Sequence, residues 1–184
     1  AREAIDHLLK EGKKVGMISV HLYRPFSVKH LIAAVPKSCK RIAVLDRTKE
    51  PGAEGEPLYL DVKSAFYDVE NRPLIVGGRY GLGSSDVTPA KIISVFNNLE
   101  LPEPKNHFTV GIVDDVTFTS LPEVEEMALG GQSIQECKFF GLGADGTVGA
   151  NKNSVKIIGE NTDKHCQAYF SYDSKKSGGF TCSH

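Results

Sequence analysis

The stretch that decides the fold is RIAVLDRTKEPGAEGEPLYLDVKSAFYDVENRPLIVGG, residues 41–78. It begins with the apolar run 41–46, passes through a glycine-containing loop into a segment with helical spacing at 59–68, and ends with the apolar run 74–78. Two short apolar runs joined by a helical segment are typical of parallel strands that are buried on both faces of a sheet. The pattern therefore predicts an α/β domain.

The same alternation extends on both sides of this stretch. Residues 15–22, VGMISVHL, and residues 107–113, HFTVGIV, are predicted to be further strands. Ser27 is a favourable N-cap for one helix, and Thr88 followed by Pro89 marks the start of another. Strands that alternate with helices indicate a mainly parallel sheet with helices on both of its faces.

A second unit follows a polar stretch at 117–135, which is predicted to be a linker with a short helix. The run ECKFFGLGADGTVGANKNSVKIIG, residues 136–159, predicts a strand, a glycine-dense loop and an amphipathic helix, and 165–173 predicts the next strand. This is the first βαβ unit of a second α/β domain. One such unit buries too little surface to be stable alone, so we expect this second domain to be truncated. The chain starts without Met in what reads as a helix entered midway, so we expect a truncation at that end as well.

Composition excludes several functional classes. The 184 residues are 40% hydrophobic and 24% charged, as in ordinary globular proteins, and no apolar run reaches the roughly 18 residues that a membrane-spanning helix needs. The formal net charge of −1 gives no overall field that would attract nucleic acid or an anionic membrane. Any phosphate site must therefore be made by local groups.

No catalytic or metal-binding constellation is apparent. The 4 cysteines form no CxxC pair and the 6 histidines show no ligand spacing, so neither a zinc site nor an iron–sulfur site is predicted within these residues. The cysteines are expected to be reduced and mostly buried. Asp114 and Asp115 end a strand, and helix capping or ion pairing is a better interpretation of this pair than a metal site.

The glycine-dense loop is the best candidate for a binding site. Gly141, Gly143 and Gly146 match the GxGxxG fingerprint, but the acidic residue that a dinucleotide site requires about 20 residues later, at the end of the next strand, comes clearly later here, at Asp173. The adjacent lysines Lys175 and Lys176 favour a phosphorylated ligand instead. Because unpaired N–H groups at a helix N-terminus attract anions, the loop predicts an anion site, with a purely structural role for the glycines as the alternative.

The segment Asp46-Arg47-Thr48-Lys49 follows a predicted buried strand. It therefore lies at the carboxyl edge of the sheet, where α/β proteins place ligands. The segment is either a binding edge or a salt-bridged contact between domains, and the sequence favours the contact.

Six motifs together resemble pyruvate:ferredoxin (flavodoxin) oxidoreductase over nearly the whole chain. They are HLYRPFS (21–27), AVLDRTKEPGAEGEPLYLDV (43–62), GGRYGLGS (77–84), HFTVGIVDDVT (107–117), GLGADGTVGANKNSVKIIG (141–159) and YFSYDSKKSGG (169–179). The resemblance implies a multidomain enzyme that depends on thiamine diphosphate, Mg²⁺ and [4Fe-4S] clusters. Such an enzyme converts pyruvate and coenzyme A to acetyl-CoA and CO2.

By this resemblance, residues 1–130 correspond to most of the second domain, which is similar to the C-terminal domain of transketolases, with a linker. Residues 131–184 correspond to the start of the third domain, which takes part in coenzyme A binding. The thiamine pocket and the cluster cysteines of the family lie outside this segment. The implied coenzyme A contacts are Gly146, Thr147, Val148, Gly149, Ala150, Asn151, Lys152, Lys175 and Lys176.

The implied partners are pyruvate, coenzyme A and either ferredoxin or flavodoxin, in a homodimer that binds neither nucleic acid nor membrane. The implied location is the cytoplasm, or a hydrogenosome-type organelle in an anaerobic eukaryote. Two alternatives remain open. One is a fusion that delivers electrons to NADP, and the other is a stand-alone nucleotide- or acyl-CoA-binding module, for which a start Met and a completed second domain are expected.

Overall fold

A computed structural model describes residues 1–126, 134–142, 146–172 and 180–183. The chain divides into two compact units, Ala1–Leu129 and Gly130–His184. Each unit has its own sheet.

The first unit contains four α-helices and three strands among its described residues, in the alternating order that the sequence predicts. The structure confirms the predicted α/β class with a parallel sheet. The elements are α1 (Arg2–Lys10), α2 (Val28–Ala34), β1 (Arg41–Asp46), α3 (Pro57–Ala65), β2 (Leu74–Tyr80), a short 3-10 helix (Leu82–Ser84), α4 (Pro89–Glu100) and β3 (Phe108–Val110).

The sheet of the first unit has the order β1-β2-β3, and both pairs of strands are parallel. Helix α3 covers one face, where Val44 of β1 packs with Tyr59 and the rest of the α3 cluster. Helix α4 covers the other face, where Val76 of β2 packs with Val95 and Phe108. The core therefore consists of two apolar layers with β2 between them.

Two adjacent glycines in β2 permit this arrangement. A Cβ atom at Gly77 would lie 2.8 Å from Cγ of Tyr59, and one at Gly78 would overlap the ring of Phe108 on the opposite face. Tyr59 is 1% exposed and Phe108 is fully buried, so both rings lie within the core. The glycines are thus required by the close approach of aromatic rings to both faces of the central strand.

Both ends of α4 are stabilised by specific hydrogen bonds. Thr88 Oγ1 accepts a bond from the backbone N–H of Lys91 at 3.4 Å, and Pro89 occupies the first helical position, as the sequence predicts. At the other end, the guanidinium of Arg41 donates to the carbonyl of Leu101 at 2.6 Å and also to that of Leu99. A cation near the last carbonyls complements the negative end of the helix dipole.

The prediction of a strand at 15–22 is wrong, because these residues form no strand. Val15 packs with Ile92 and the α1–α4 cluster on one face of the sheet, whereas Phe26 packs with the α3 cluster on the opposite face. The chain between them passes from one face to the other and makes no strand pairing within the described residues. Apolar composition predicted a strand here, but strand formation also requires a neighbouring strand in register.

The second unit contains β4 (Phe139–Leu142), α5 (Thr147–Asn161), β5 (Phe170–Tyr172) and β6 (Phe180–Ser183). The predicted order strand–helix–strand is present, but β4 and β5 are not neighbours. Strand β6 lies between them and is antiparallel to both, in the order β4-β6-β5. The predicted βαβ unit is therefore a split βαβ unit.

We predict that Gly78→Ala destabilises the first unit by roughly 1–3 kcal/mol, because the new methyl group overpacks the contact with the Phe108 ring. Thermal and urea unfolding followed by circular dichroism would measure the change. Gly16→Ala is the matched control, since a Cβ atom there meets no described atom within 4 Å. Equal stability of the two variants would contradict this account of the glycine.

Candidate functional site

The predicted anion site lies at the N-terminus of α5. Gly146 precedes the helix in the left-handed conformation, with φ 92° and ψ 3°, and supplies no side-chain cap. The first turn carries no acidic side chain. The backbone N–H of Ala150 donates a hydrogen bond to the carbonyl of the cap residue Gly146 at 2.9 Å. The positive end of the helix dipole is therefore not neutralised by a carboxylate of that turn.

No described residue packs closely against the two glycines of this turn. A Cβ atom at Gly146 or at Gly149 would meet no described atom within 4 Å. Among the described residues, close packing therefore does not explain Gly149, and the positive φ alone favours glycine at Gly146. Val148 is half-buried and Ala150 is exposed.

Asn151 is the unusual residue of this turn. It is 2% exposed, and its Nδ2 atom has no hydrogen-bond partner in the described part of the chain. A buried amide that lacks a partner costs about 1–3 kcal/mol, so such a group needs an additional partner. Next to it, Lys152 places Nζ 5.7 Å from the centre of the Phe170 ring of β5.

Part of the predicted site lies outside the described residues. This applies to Gly143 of the loop and to both lysines that follow β5, Lys175 and Lys176. Their proximity to the α5 N-terminus stays a prediction. The described part of the site consists of the turn Gly146–Lys152.

The predicted edge segment in the first unit has a structural role at its first residue. Asp46 is 8% exposed, and its two carboxylate oxygens accept hydrogen bonds from the N–H groups of Leu58 and Tyr59, each at 3.0 Å. It therefore caps α3 from a neighbouring strand. Burial raises the pKa of Asp46, and these two hydrogen bonds oppose the increase.

The sequence interpretation missed a buried ion pair beside this cap. Glu56 Oε1 lies 2.9 Å from Arg79 Nε, and the two side chains are 4% and 12% exposed. The Nε–H is poorly aligned for a hydrogen bond, and Glu56 Oε2 has no partner among the described residues, while Arg79 Nη2 donates to His107 O at 3.2 Å. The two residues are far apart in the sequence, so no local spacing indicates the pair.

Asp114 organises a loop rather than a helix or a metal site. Its Oδ1 accepts hydrogen bonds from the N–H groups of Val116 at 3.1 Å and Thr117 at 2.9 Å. Its Oδ2 accepts hydrogen bonds from the N–H of Thr119 at 3.2 Å and from the hydroxyl groups of Thr117 and Thr119. Hydrogen bonds from Thr117, and then from Thr119, hold the pKa of Asp114 far below its ordinary value. Asp115 is exposed.

The described cysteines differ in their exposure. Cys39 and Cys166 are half-buried free thiols, whereas Cys137 is exposed, so the expectation of mostly buried thiols is wrong for Cys137.

The described ranges contain no group of three or more His, Cys, Asp or Glu residues that could hold a metal ion. None of the described helices is both long and apolar enough to cross a membrane.

Comparison with known proteins gives consistent matches. Residues 1–92 match the family model "Pyruvate:ferredoxin oxidoreductase core domain II". The chain is 60% identical over 184 residues to the pyruvate-flavodoxin oxidoreductase of Enterobacter agglomerans and 61% identical to that of Klebsiella pneumoniae; each match covers 100% of this chain and 16% of the relative. It is 57% identical over 182 residues to the pyruvate:ferredoxin oxidoreductase of Moorella thermoacetica, covering 99% of this chain and 16% of that protein.

We predict that Asp114→Asn loosens the loop, because a neutral amide accepts these hydrogen bonds more weakly than a carboxylate. Hydrogen exchange of the Thr117 and Thr119 amides at neutral pH should become faster. Asp115→Asn makes the same charge change at an exposed neighbour and should leave both rates unchanged. A faster rate in both variants would assign the effect to net charge.

The same carboxylate predicts a pH dependence. A folded-state pKa below the ordinary value, about 3.9, gives a stabilisation that is present above that value and lost as the pH falls through the folded pKa. The free energy of unfolding should therefore decrease in acid with a steeper slope in the wild type than in Asp114→Asn. Parallel slopes in acid titrations of the two proteins would contradict the assignment.

Proposed function

Because the chain belongs to the pyruvate:ferredoxin oxidoreductase family, we propose that it is part of an enzyme that oxidises pyruvate with coenzyme A. The products are acetyl-CoA and CO2, and two electrons pass to ferredoxin or flavodoxin. Identities of 57–61% and the match over residues 1–92 support this proposal. The chain spans 16% of the length of these curated relatives, so the proposal concerns a longer protein.

The proposal divides the work between the two units. Residues 1–130 form a scaffold domain similar to the C-terminal domain of transketolases, with a linker, and residues 131–184 form the start of the coenzyme A domain. The parallel sheet with covered faces supports the first assignment. The α5 N-terminus supports the second.

Asn151 is the observation that carries the coenzyme A assignment. Its buried Nδ2 has no hydrogen-bond partner among the described residues and lies in the first two turns of a helix whose start carries no acidic side chain. Coenzyme A has a diphosphate and a 3′-phosphate, which are acceptors that match such donors. In the proposal, Gly146–Asn151 holds phosphate oxygens, and Lys152, Lys175 and Lys176 add charge.

Thiamine diphosphate, Mg²⁺ and [4Fe-4S] clusters are assigned to the rest of the protein. The described residues do not fit a cluster or a metal ion, since they contain no group of three suitable ligands. No step of the reaction is therefore derived through these groups. The role of this chain in the proposal is to hold and orient coenzyme A, whose thiol receives the acetyl group.

The proposal also includes the remaining family expectations. The enzyme is a homodimer in the cytoplasm, and neither nucleic acid nor membrane is a partner. The near-neutral net charge of −1 supports the exclusion of nucleic acid.

We predict that replacing Lys175 and Lys176 by Ala in the full-length enzyme raises the Kd for coenzyme A roughly tenfold or more, since a charge-assisted hydrogen bond contributes about 1.5–3 kcal/mol. Calorimetric titration would measure it. Pyruvate-driven reduction of the clusters without coenzyme A should be retained. The matched control replaces Lys156 and Lys164, which lie towards and beyond the C-terminal end of α5. Unchanged coenzyme A affinity with loss of cluster reduction would refute the site assignment.

A second prediction concerns the buried amide. Asn151→Ala should raise the Kd for coenzyme A about threefold to tenfold, because it removes one donor of about 0.5–1.5 kcal/mol. Asn153→Ala, an exposed amide on the same helix, is the control. If both variants bound coenzyme A like the wild type, Asn151 would have a structural role only.

A further inference from the structure

Three of the most exposed large apolar side chains of the first unit lie in the loop that follows β3. Val113, Val116 and Phe118 are 83%, 80% and 73% exposed. A single exposed apolar residue needs no explanation, because much of any protein surface is apolar. Three such residues within one short loop are a concentration of the kind that marks an interaction site.

Hydrogen bonds fix the conformation of this loop. Asp114 accepts hydrogen bonds from three nearby backbone N–H groups. Lys105 Nζ donates to the carbonyls of Phe118 at 3.0 Å and Ser120 at 3.1 Å. The Ser120 hydroxyl accepts the N–H of Asp114 and donates to the carbonyl of Ile112, each at 2.8 Å. A loop that is ordered before it binds loses less conformational entropy on binding.

The backbone of Phe118 is strained. Its φ is 53°, in the left-handed region, which glycine and asparagine adopt far more easily than a bulky aromatic residue. Its ring is 73% exposed, so burial within the chain does not offset this strain. Strained residues of this kind cluster where a protein contacts something else. Burial of the ring against a partner would account for an aromatic side chain at this position.

The length and the charge of the surrounding protein indicate what the partner is. The chain spans 16% of the length of its curated relatives, so most of such a protein lies outside these residues. Asp115 is exposed in the same loop and makes no ion pair with a described residue. A complementary surface therefore combines an apolar pocket with a Lys or Arg at its rim.

We propose that residues 113–118 are a docking loop, which places Val113, Val116 and Phe118 in an apolar pocket with a cation at its rim. The pocket belongs to a part of the same longer polypeptide that lies outside these 184 residues. Phe118 is the aromatic anchor of the contact. The proposal rests on the family membership of the chain and uses no residue of the coenzyme A site, so either proposal can fail without the other.

Hydroxyl-radical footprinting of the full-length enzyme tests the burial of the loop. The oxidation rate of Phe118 should be at least about tenfold lower in the native enzyme than in the urea-unfolded one, because interface cores are packed like protein interiors. Tyr67, which is also 73% exposed, is the comparison, and its two rates should be similar. Equal protection of the two rings would overturn the proposal.

A cross-link identifies the occupant. Val116 is replaced by the photoreactive residue p-benzoylphenylalanine in the full-length enzyme. Irradiation should join the loop to a peptide outside residues 1–184 of the same polypeptide, with no change of mass on a denaturing gel. The same replacement at Tyr67 is the control and should give no such product. A product with the mass of two chains would assign the loop to a second copy, and that result or the absence of a cross-link would overturn the proposal.

Two glycine variants of the full-length enzyme separate strain from docking. Phe118→Gly relieves the backbone strain and removes the anchor, so the midpoint of thermal unfolding should fall if the ring is docked. Asn71→Gly is the matched control, since Asn71 is exposed and also has φ 53°. Its midpoint should change little. A midpoint that rises in Phe118→Gly would show that relief of strain outweighs any contact of the ring, and the docking loop would be refuted.

Discussion

The first unit depends on the close approach of two aromatic rings to opposite faces of its central strand. Tyr59 covers Gly77 from α3, and Phe108 covers Gly78 from β3. The rings can approach this closely because neither glycine has a Cβ atom, and almost no solvent reaches either ring. The contacts hold α3 and β3 to β2, and so they fix where the loops at the carboxyl edge of the sheet emerge.

Two polar side chains add hydrogen bonds to this arrangement. Asn106, which is exposed, accepts the N–H of Gly77 at 2.7 Å and donates to the hydroxyl of Tyr59 at 3.1 Å. The buried carboxylate of Asp46, at the end of β1, accepts the N–H groups of Leu58 and Tyr59 at the start of α3. Asn106 and Asp46 thereby each connect elements that are distant in the sequence.

The candidate site of the second unit uses backbone donors at the start of α5, and the buried amide of Asn151 adds a side-chain donor to them. Gly146 has a positive φ, a backbone conformation that other residues adopt only with strain. The site therefore suits an anion without requiring a basic net charge.

The sequence by itself determined the α/β class, the bounds of β1, the Thr88–Pro89 start of α4 and the glycine-dense approach to α5, because these depend on local spacing and capping. Tertiary structure alone decided that 15–22 crosses the edge of the sheet, that β6 lies between β4 and β5, and that Glu56 pairs with Arg79. It also decided that Asp46 caps a helix and that Asn151 is buried. These features join residues far apart in the chain or depend on burial, and packing sets both.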